Sequence, residues 1–362
     1  MMKPLHLADI LNQGLADYQQ THKMSVQQKR VCDHIQSCRT GELGYQKWQC
    51  DQCGHQTEIG CSCRDRHCPR CQGTTTEDWV DKQSENLLPC SYFHLVFTLP
   101  HELNLIAQYN AKPLYQSLFK AVWQTLNKFA NNRQHGQLGM TCVLHTWGQN
   151  LSQHIHLHCL IPAGSLSTKQ QWQSVNKNYL YPVKALSTVF KGKMLAELKA
   201  QNVNLNSLNI PQKWCVYAKP CLSHSQQLLS YLARYTRKGV MSESRLVKHT
   251  THSVSFKYKD YRDNNQNKVM TLDTEEFIRR YLQHILPKGL MRVRHYGFLA
   301  NACRRRKVKL IKAQCKTGKP CTTKPKSDKK MHWPCTECQV GELKLVSILL
   351  PSRKLIEPVL TG

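Results

Sequence analysis

The chain has 362 residues and sets 51 Lys and Arg against 23 Asp and Glu, a formal net charge of +28 at pH 7, so it attracts polyanions, nucleic acid first among them. Its length suffices for two or three domains with cores of their own. With 40% apolar residues it is neither disordered nor fibrous, and no uninterrupted apolar run approaches the ~18 residues of a membrane helix.

The start of the chain carries Asp9 inside its apolar stretch and lacks a small-residue cleavage site, so a cytoplasmic, nucleoid-associated protein is expected rather than a secreted one. Residues 5–31 read as one leader helix, with Leu5, Ile10, Leu11 and Tyr18 on its apolar side. From His34 to Cys71 aliphatic residues are scarce, while eight of the eighteen cysteines fall between Cys32 and Cys71. Such a stretch builds no core without a metal, and in a reducing compartment thiols ligate rather than pair.

The texture then changes. Tyr92 to Leu99 is β-branched and aromatic and reads as a buried strand. A helix is expected over about 102–132, strands near 140–147 and 154–161, a strand at 214–218 and a helix at 224–238. Strands and helices in this alternation point to an α+β sheet domain. The stretch 292–330 holds fourteen Lys or Arg against the single acid Asp328 and reads as a basic tail. The expected division is therefore 1–85, a zinc-binding domain with its leader helix; 86–290, a catalytic domain; and 291–362, a basic DNA-binding region.

Three constellations carry chemistry. Cys50-Asp-Gln-Cys53 and Cys68-Pro-Arg-Cys71 are two knuckles that between them offer four thiolates to one tetrahedral zinc ion. His34, Cys38, Cys61, Cys63 and His67 remain for a second site or for packing, and Arg64, Arg66 and Arg70 would display cations to phosphate. A third knuckle, Cys335-Thr-Glu-Cys338, has no clear partner, with Cys315 and Cys321 the candidates.

His154, His156 and His158 are two residues apart, so on a strand they share one face while Ile155, Leu157 and Cys159 share the other. Neutral imidazoles so placed can ligate a divalent cation. Tyr231 and Tyr235 lie four apart, one turn of helix, closed by Gly239. Arg234, Arg237 and Lys238 stand beside them, where cations would stabilise a phenolate. No GxxxxGK[ST] string occurs, so no nucleotide cofactor is expected.

Together these strings resemble the transposases of the insertion sequence 91 family. The resemblance rests on Cys38-Arg-Thr, Cys50-x-x-Cys53-Gly54, Cys63-Arg-Asp-Arg-His67-Cys68-Pro-Arg-Cys71 and His94-Leu-Val-Phe-Thr-Leu-Pro-His-Glu-Leu-Asn104. It extends through His154-Ile-His156-Leu-His158-Cys159, Tyr231-Leu-Ala-Arg-Tyr235-Thr and Arg292-Val-Arg-His-Tyr-Gly-Phe-Leu-Ala-Asn301. It departs from the family in Ile155, where Pro is common, in the short Ala163-Gly164-Ser165 and in the extra Cys61.

The resemblance implies an HUH endonuclease with a central antiparallel sheet behind an N-terminal zinc-binding domain that holds structural Zn²⁺. His156 and His158 would be ligands for Mg²⁺ or Mn²⁺, with His154 or Gln227 as the third and His154 preferred. Tyr231 and Tyr235 would be the nucleophiles of rolling-circle transposition, acting on single-stranded DNA at insertion-sequence ends through a 5′-phosphotyrosine, with Arg234 and Lys238 beside them. The alternatives are an HUH replication initiator or relaxase, and a non-catalytic zinc-dependent DNA-binding protein.

Overall fold

The computed structural model describes residues 4–71, 86–134, 136–175, 180–222, 239–261, 263–315, 333–351 and 355–356. The leader is two helices rather than one, α1 (Leu7–Thr21) and α2 (Val26–Gln36). The break has a local cause. The Ser25 hydroxyl accepts from the Gln28 N–H at 3.2 Å, and the Gln28 side chain accepts from the Ser25 N–H at 2.8 Å, a reciprocal cap that starts a new helix. Two strands follow, β1 (Tyr45–Cys50) and β2 (Gln56–Gly60).

The strand read at Tyr92 is β3 (Tyr92–Thr98). The expected helix over 102–132 is broken at Asn110 into α3 (Asn104–Tyr109) and α4 (Ala111–Gln134). Pro113 explains the break: it has no N–H and its ring would clash with the carbonyl four residues back, but it is tolerated in a first turn, where it now sits. Next come β4 (Gly136–Gln137), β5 (Gly139–Trp147), β6 (Gln153–Pro162), β7 (Gly164–Ser167) and β8 (Trp172–Ser174). Helix α5 (Val183–Ala200) leads to β9 (Val216–Leu222).

The stretch after 239 holds a meander that the sequence reading did not anticipate: β10 (Leu246–His249), β11 (Ser253–Asp260) and β12 (Gln266–Asp273), then α6 (Thr274–Leu282). The chain closes with β13 (Val293–Gly297), α7 (Arg304–Gln314), β14 (Leu343–Leu349) and β15 (Leu355–Ile356).

The central sheet has the order β13-β5-β6-β3-β9, antiparallel at every pairing. Successive side chains alternate between its faces. Phe93, Leu95 and Phe97 of β3, Ile155, Leu157, Cys159 and Ile161 of β6, and Met140, Cys142 and Leu144 of β5 form one dry face. It packs on Leu114, Leu118, Phe119, Val122 and Leu126 of α4 and on Leu186, Phe190, Met194 and Leu198 of α5. The opposite face receives the even-numbered residues of β3 and β6 and the odd-numbered residues of β5.

The fold does not follow the boundary expected at 290. Within the region expected from 291 to 362, β13 is an edge strand of the central sheet, and β14 pairs with β1 beside the N-terminal cysteines. Nor does the N-terminal part stand alone. Leu7, Ile10, Leu11, Val31, Ile35 and Cys68 share one core with Val254 and Phe256 of β11 and with Phe277, Ile278 and Tyr281 of α6.

Phe97 is fully buried and meets Phe190 edge-on, ring centroids 5.1 Å apart. Replacing it with Ala at the sheet–helix interface leaves a cavity. Phe97→Ala is expected to lower unfolding stability by about 3–5 kcal/mol, measured by urea titration.

Candidate metal centres and active site

On the open face of the central sheet β6 supplies His156 and His158, and antiparallel register brings His145 of β5 directly opposite His156. Ligand atoms of His145, His156 and His158 lie within 4.8 Å of one another. The Nε2 atoms of His156 and His158 are 3.1 Å apart. That separation matches the ~3 Å edge of an octahedron with bonds of about 2.1 Å.

The tautomers are set from behind. His156 Nδ1–H donates to the His154 carbonyl at 2.8 Å, which leaves its Nε2 lone pair toward the cluster. His158 Nδ1 lies 2.9 Å from His94 Nε2, and with that proton on His158 its Nε2 is bare as well. Burial pushes the His156 and His94 pKa values down to about 4, helped by His154 and by Lys219 respectively. His158 falls lower still, through burial and then the neighbouring His156 and His94. His94, His156 and His158 are therefore neutral at pH 7, the state in which an imidazole ligates. The donor set fits a divalent cation.

Of the three histidines expected from the motif, two are brought together and one is not. The His154 ligand atoms are not in the group, although its ring centroid is 4.8 Å from that of His156 and 6.1 Å from that of His101. Its contribution is the carbonyl that orients His156. The third nitrogen comes from His145, whose ring stacks on Trp147 at 4.7 Å, with the Arg292 guanidinium over the other ring system at 4.7 Å. Arg292 also donates to the Leu144 carbonyl at 3.1 Å, and burial lowers its pKa to about 9. The signal for His145 was present in the sequence, since it sits in the strand read at 140–147. Only the cross-strand register, which the sequence does not carry, selects it. Tyr231, Arg234, Tyr235 and Lys238, with Gln227, lie outside the described residues. The chain approaches them along β9, the edge strand beside β3, where exposed Tyr217 and Lys219 stand opposite Val96 and His94.

The cysteines are regrouped. Cys50 and Cys53 do not meet Cys68 and Cys71 in one site. Instead Cys38, Cys63, Cys68 and Cys71 converge, and Cys50 and Cys53 join Cys335 and Cys338. In the first group Cys71 Sγ lies 3.5 Å from Cys38 Sγ and 3.6 Å from Cys63 Sγ, near the ~3.8 Å edge of a tetrahedron with Zn–S bonds of about 2.3 Å. Cys63 and the Cys68-Pro-Arg-Cys71 turn lie on the loop after β2, and Cys38 lies before β1, so the group closes across the base of the β1–β2 hairpin.

His67 is not a member of the group. Its ring is buried, its backbone N–H donates to the Asp65 carboxylate at 2.8 Å, and its carbonyl accepts from the Tyr281 hydroxyl at 2.6 Å. His34 pairs with Asp65 at 3.0 Å instead. Two of the three arginines offered to phosphate bind protein: Arg66 donates to the Leu290 carbonyl at 2.8 Å and Arg70 to that of Cys38 at 3.0 Å. Arg66 fastens the cysteine module to the stretch before β13, whereas Arg70 ties the Cys68–Cys71 knuckle to Cys38 within the module.

Comparison with known proteins places this architecture. A family model described as "Transposase zinc-binding domain", that of the insertion sequence 91 transposases, matches residues 10–99. A second, described as "Putative transposase", matches 139–307. The "Putative transposase y4qJ" of Sinorhizobium fredii is 40% identical over 334 residues, 86% of this chain and 83% of the relative. The chain belongs to the insertion sequence 91 family of transposases.

The transposase for insertion sequence element IS801 of Pseudomonas savastanoi pv. phaseolicola is 28% identical over 284 residues, 73% of this chain and 68% of that one. Among solved structures, the conjugative relaxase TrwC in complex with mutant OriT DNA has a TM-score of 0.28 at 13% identity, over 61% of this chain and 72% of that one. The metal-bound TrwC complex with OriT DNA scores 0.28 at 14% identity, over 62% and 72%. A likeness that remote transfers nothing to this transposase. Its N-terminal part is a zinc-binding domain, its catalytic part an α+β unit on an antiparallel sheet, and its substrate DNA. Among the described residues no helix is long and apolar enough to cross a membrane.

Two outcomes follow for the histidine cluster. His145→Ala is expected to weaken Mn²⁺ binding at least tenfold in calorimetric titration, and His154→Ala less than threefold. The pH response comes from His94, His156 and the buried His284, each held near pKa 4 chiefly by burial. Unfolding raises these groups toward the ordinary ~6.5, so the unfolded chain binds more protons in the window between. Metal-free protein is expected to lose about 2 kcal/mol of stability per such histidine between pH 7 and pH 5, read as a falling urea midpoint.

Proposed function

We propose that this transposase cuts and rejoins single-stranded DNA at the ends of an insertion sequence, with Tyr231 and Tyr235 as nucleophiles. One observation supports the reading above the others: three imidazoles converge on the open face of the sheet, 3.1 Å between two of their nitrogens, in a chain of this family. His145, His156 and His158 would hold Mg²⁺ or Mn²⁺. When bound, such an ion polarises a phosphate and stabilises charge on its oxygens.

The chain's own residues do the rest. A tyrosine oxygen attacks phosphorus in line, the bond to the 3′-oxygen breaks, and a 5′-phosphotyrosine and a free 3′-hydroxyl result. The bond energy is conserved in the new ester, so no nucleotide is consumed. Arg234 and Lys238 favour the phenolate by their charge. Lys219 and exposed Tyr217 sit on the histidine side of the edge strand, suited to a phosphate and to a stacked base respectively. The +28 net charge supports recruitment to chromosomal DNA in the cytoplasm.

The decisive assay incubates the protein with labelled single strands from the flanks of its own gene and Mg²⁺ or Mn²⁺, then separates products under denaturing conditions. A covalent adduct is expected from wild type, at least a hundredfold less from Tyr231→Phe/Tyr235→Phe and from His156→Ala, and at least a third of wild type from His154→Ala. Tight DNA binding without an adduct on any flank would leave a binding protein in place of a strand transferase.

A further inference from the structure

The geometry points to a second structural zinc site, made of Cys50, Cys53, Cys335 and Cys338, that clasps the C-terminal end of the chain to its N-terminal domain. The family model for the zinc-binding domain ends at residue 99, far short of the second pair. Sγ of Cys50 lies 3.7 Å from that of Cys338, and Sγ of Cys53 lies 3.7 Å from that of Cys335. These distances are far too long for disulfides, which need ~2.05 Å, and they match the ~3.8 Å sulfur–sulfur edge of a zinc tetrathiolate.

The two knuckles are built alike although their paired thiols lie 282 and 288 positions apart in the sequence. In each, the residue after the second cysteine turns left-handed, Gly54 at φ 73° and Gln339 at φ 57°. In each, its N–H returns to the carbonyl of the first cysteine, Gly54 to Cys50 at 3.2 Å and Gln339 to Cys335 at 3.1 Å. The first cysteine of each also donates its own N–H a few residues ahead, Cys50 to His55 at 2.8 Å and Cys335 to Gly341 at 2.8 Å. Backbone N–H groups point at the sulfurs, from Gln52 to Cys50 at 3.4 Å and from Gly341 to Cys338 at 3.3 Å, the donors that a thiolate recruits.

Space is cut to the sulfurs as well. A Cβ on Gly341 would lie 2.4 Å from Cys50 Sγ. The apolar core here is Cys50, Cys335 and Leu343, with Trp48 and Cys338 beside them. That is too little to hold a four-stranded sheet, β15-β14-β1-β2, without a metal. The N-terminal zinc-binding domain is then incomplete without residues 333–349, and the basic stretch that precedes them is fastened at both ends, by β13 in the central sheet and by the clasp.

Native mass spectrometry tests this, after exchangeable ions are washed from the histidine site. The full chain is expected to retain two zinc ions. Cys335→Ser/Cys338→Ser, Cys50→Ser/Cys53→Ser and the combination of all four are each expected to retain one. Two ions in the Cys335→Ser/Cys338→Ser protein, or none in the fourfold variant, would overturn the clasp. A second measurement uses the unmodified protein, in case a variant fails to fold. Under graded chelation followed by thiol alkylation and peptide mapping, Cys50, Cys53, Cys335 and Cys338 are expected to lose protection together, at a chelator strength distinct from that for Cys38, Cys63, Cys68 and Cys71. Release of Cys50 and Cys53 in step with Cys68 and Cys71 would overturn it equally.

Discussion

The cross-strand register that sets His145 against His156 and Val143 against His158 is the constraint on which the site depends. A shift of one residue between β5 and β6 would turn every side chain of one strand to the other face. It would place that strand's histidines in the dry interface and turn Leu144 or Leu157, according to the strand, toward water. The burial of Phe97, Leu157, Phe119 and Phe190 against α4 and α5 therefore does two things: it stabilises the sheet, and by fixing which residues face inward it fixes which nitrogens converge outside. The imidazoles need no loop to hold them, because their spacing is that of the pleat.

The polar surroundings of the cluster are arranged to keep those nitrogens bare. His94 and the His154 carbonyl engage the Nδ1 sides of His158 and His156, and Trp147 under Arg292 fixes the plane of His145. Arg292 comes from just before β13, so a residue late in the sequence completes a site begun on β5. The cysteine modules obey the same logic at smaller scale. With few aliphatic side chains available, direction comes from sulfur geometry and from backbone N–H groups. Arg66 binds a carbonyl across the module boundary and Arg70 binds one within the module.

The sequence by itself determined a good deal. The β-branched and aromatic run at Tyr92–Thr98 and the period-two alternation at Gln153–Pro162 revealed two strands, the density of cysteine revealed a metal-dependent module, and His156 and His158 were legible as a pair because two residues on one strand share a face. The motif strings were specific enough to indicate the family. Helix breaks at Ser25 and Asn110 were legible in principle, since a capping box and Pro113 are local features. All of these are properties of near neighbours in the chain.

What only the tertiary structure decided is the partnership of distant residues. It set His145 beside His156 and His158, split Cys50 and Cys53 from Cys68 and Cys71, placed them beside Cys335 and Cys338, and drew β13 out of what composition marks as a tail. The reason is physical: ligation and strand pairing depend on distances of 3–5 Å in space, and a sequence fixes such distances only within a turn or a strand. Across a hundred residues or more, they are set by how the faces pack.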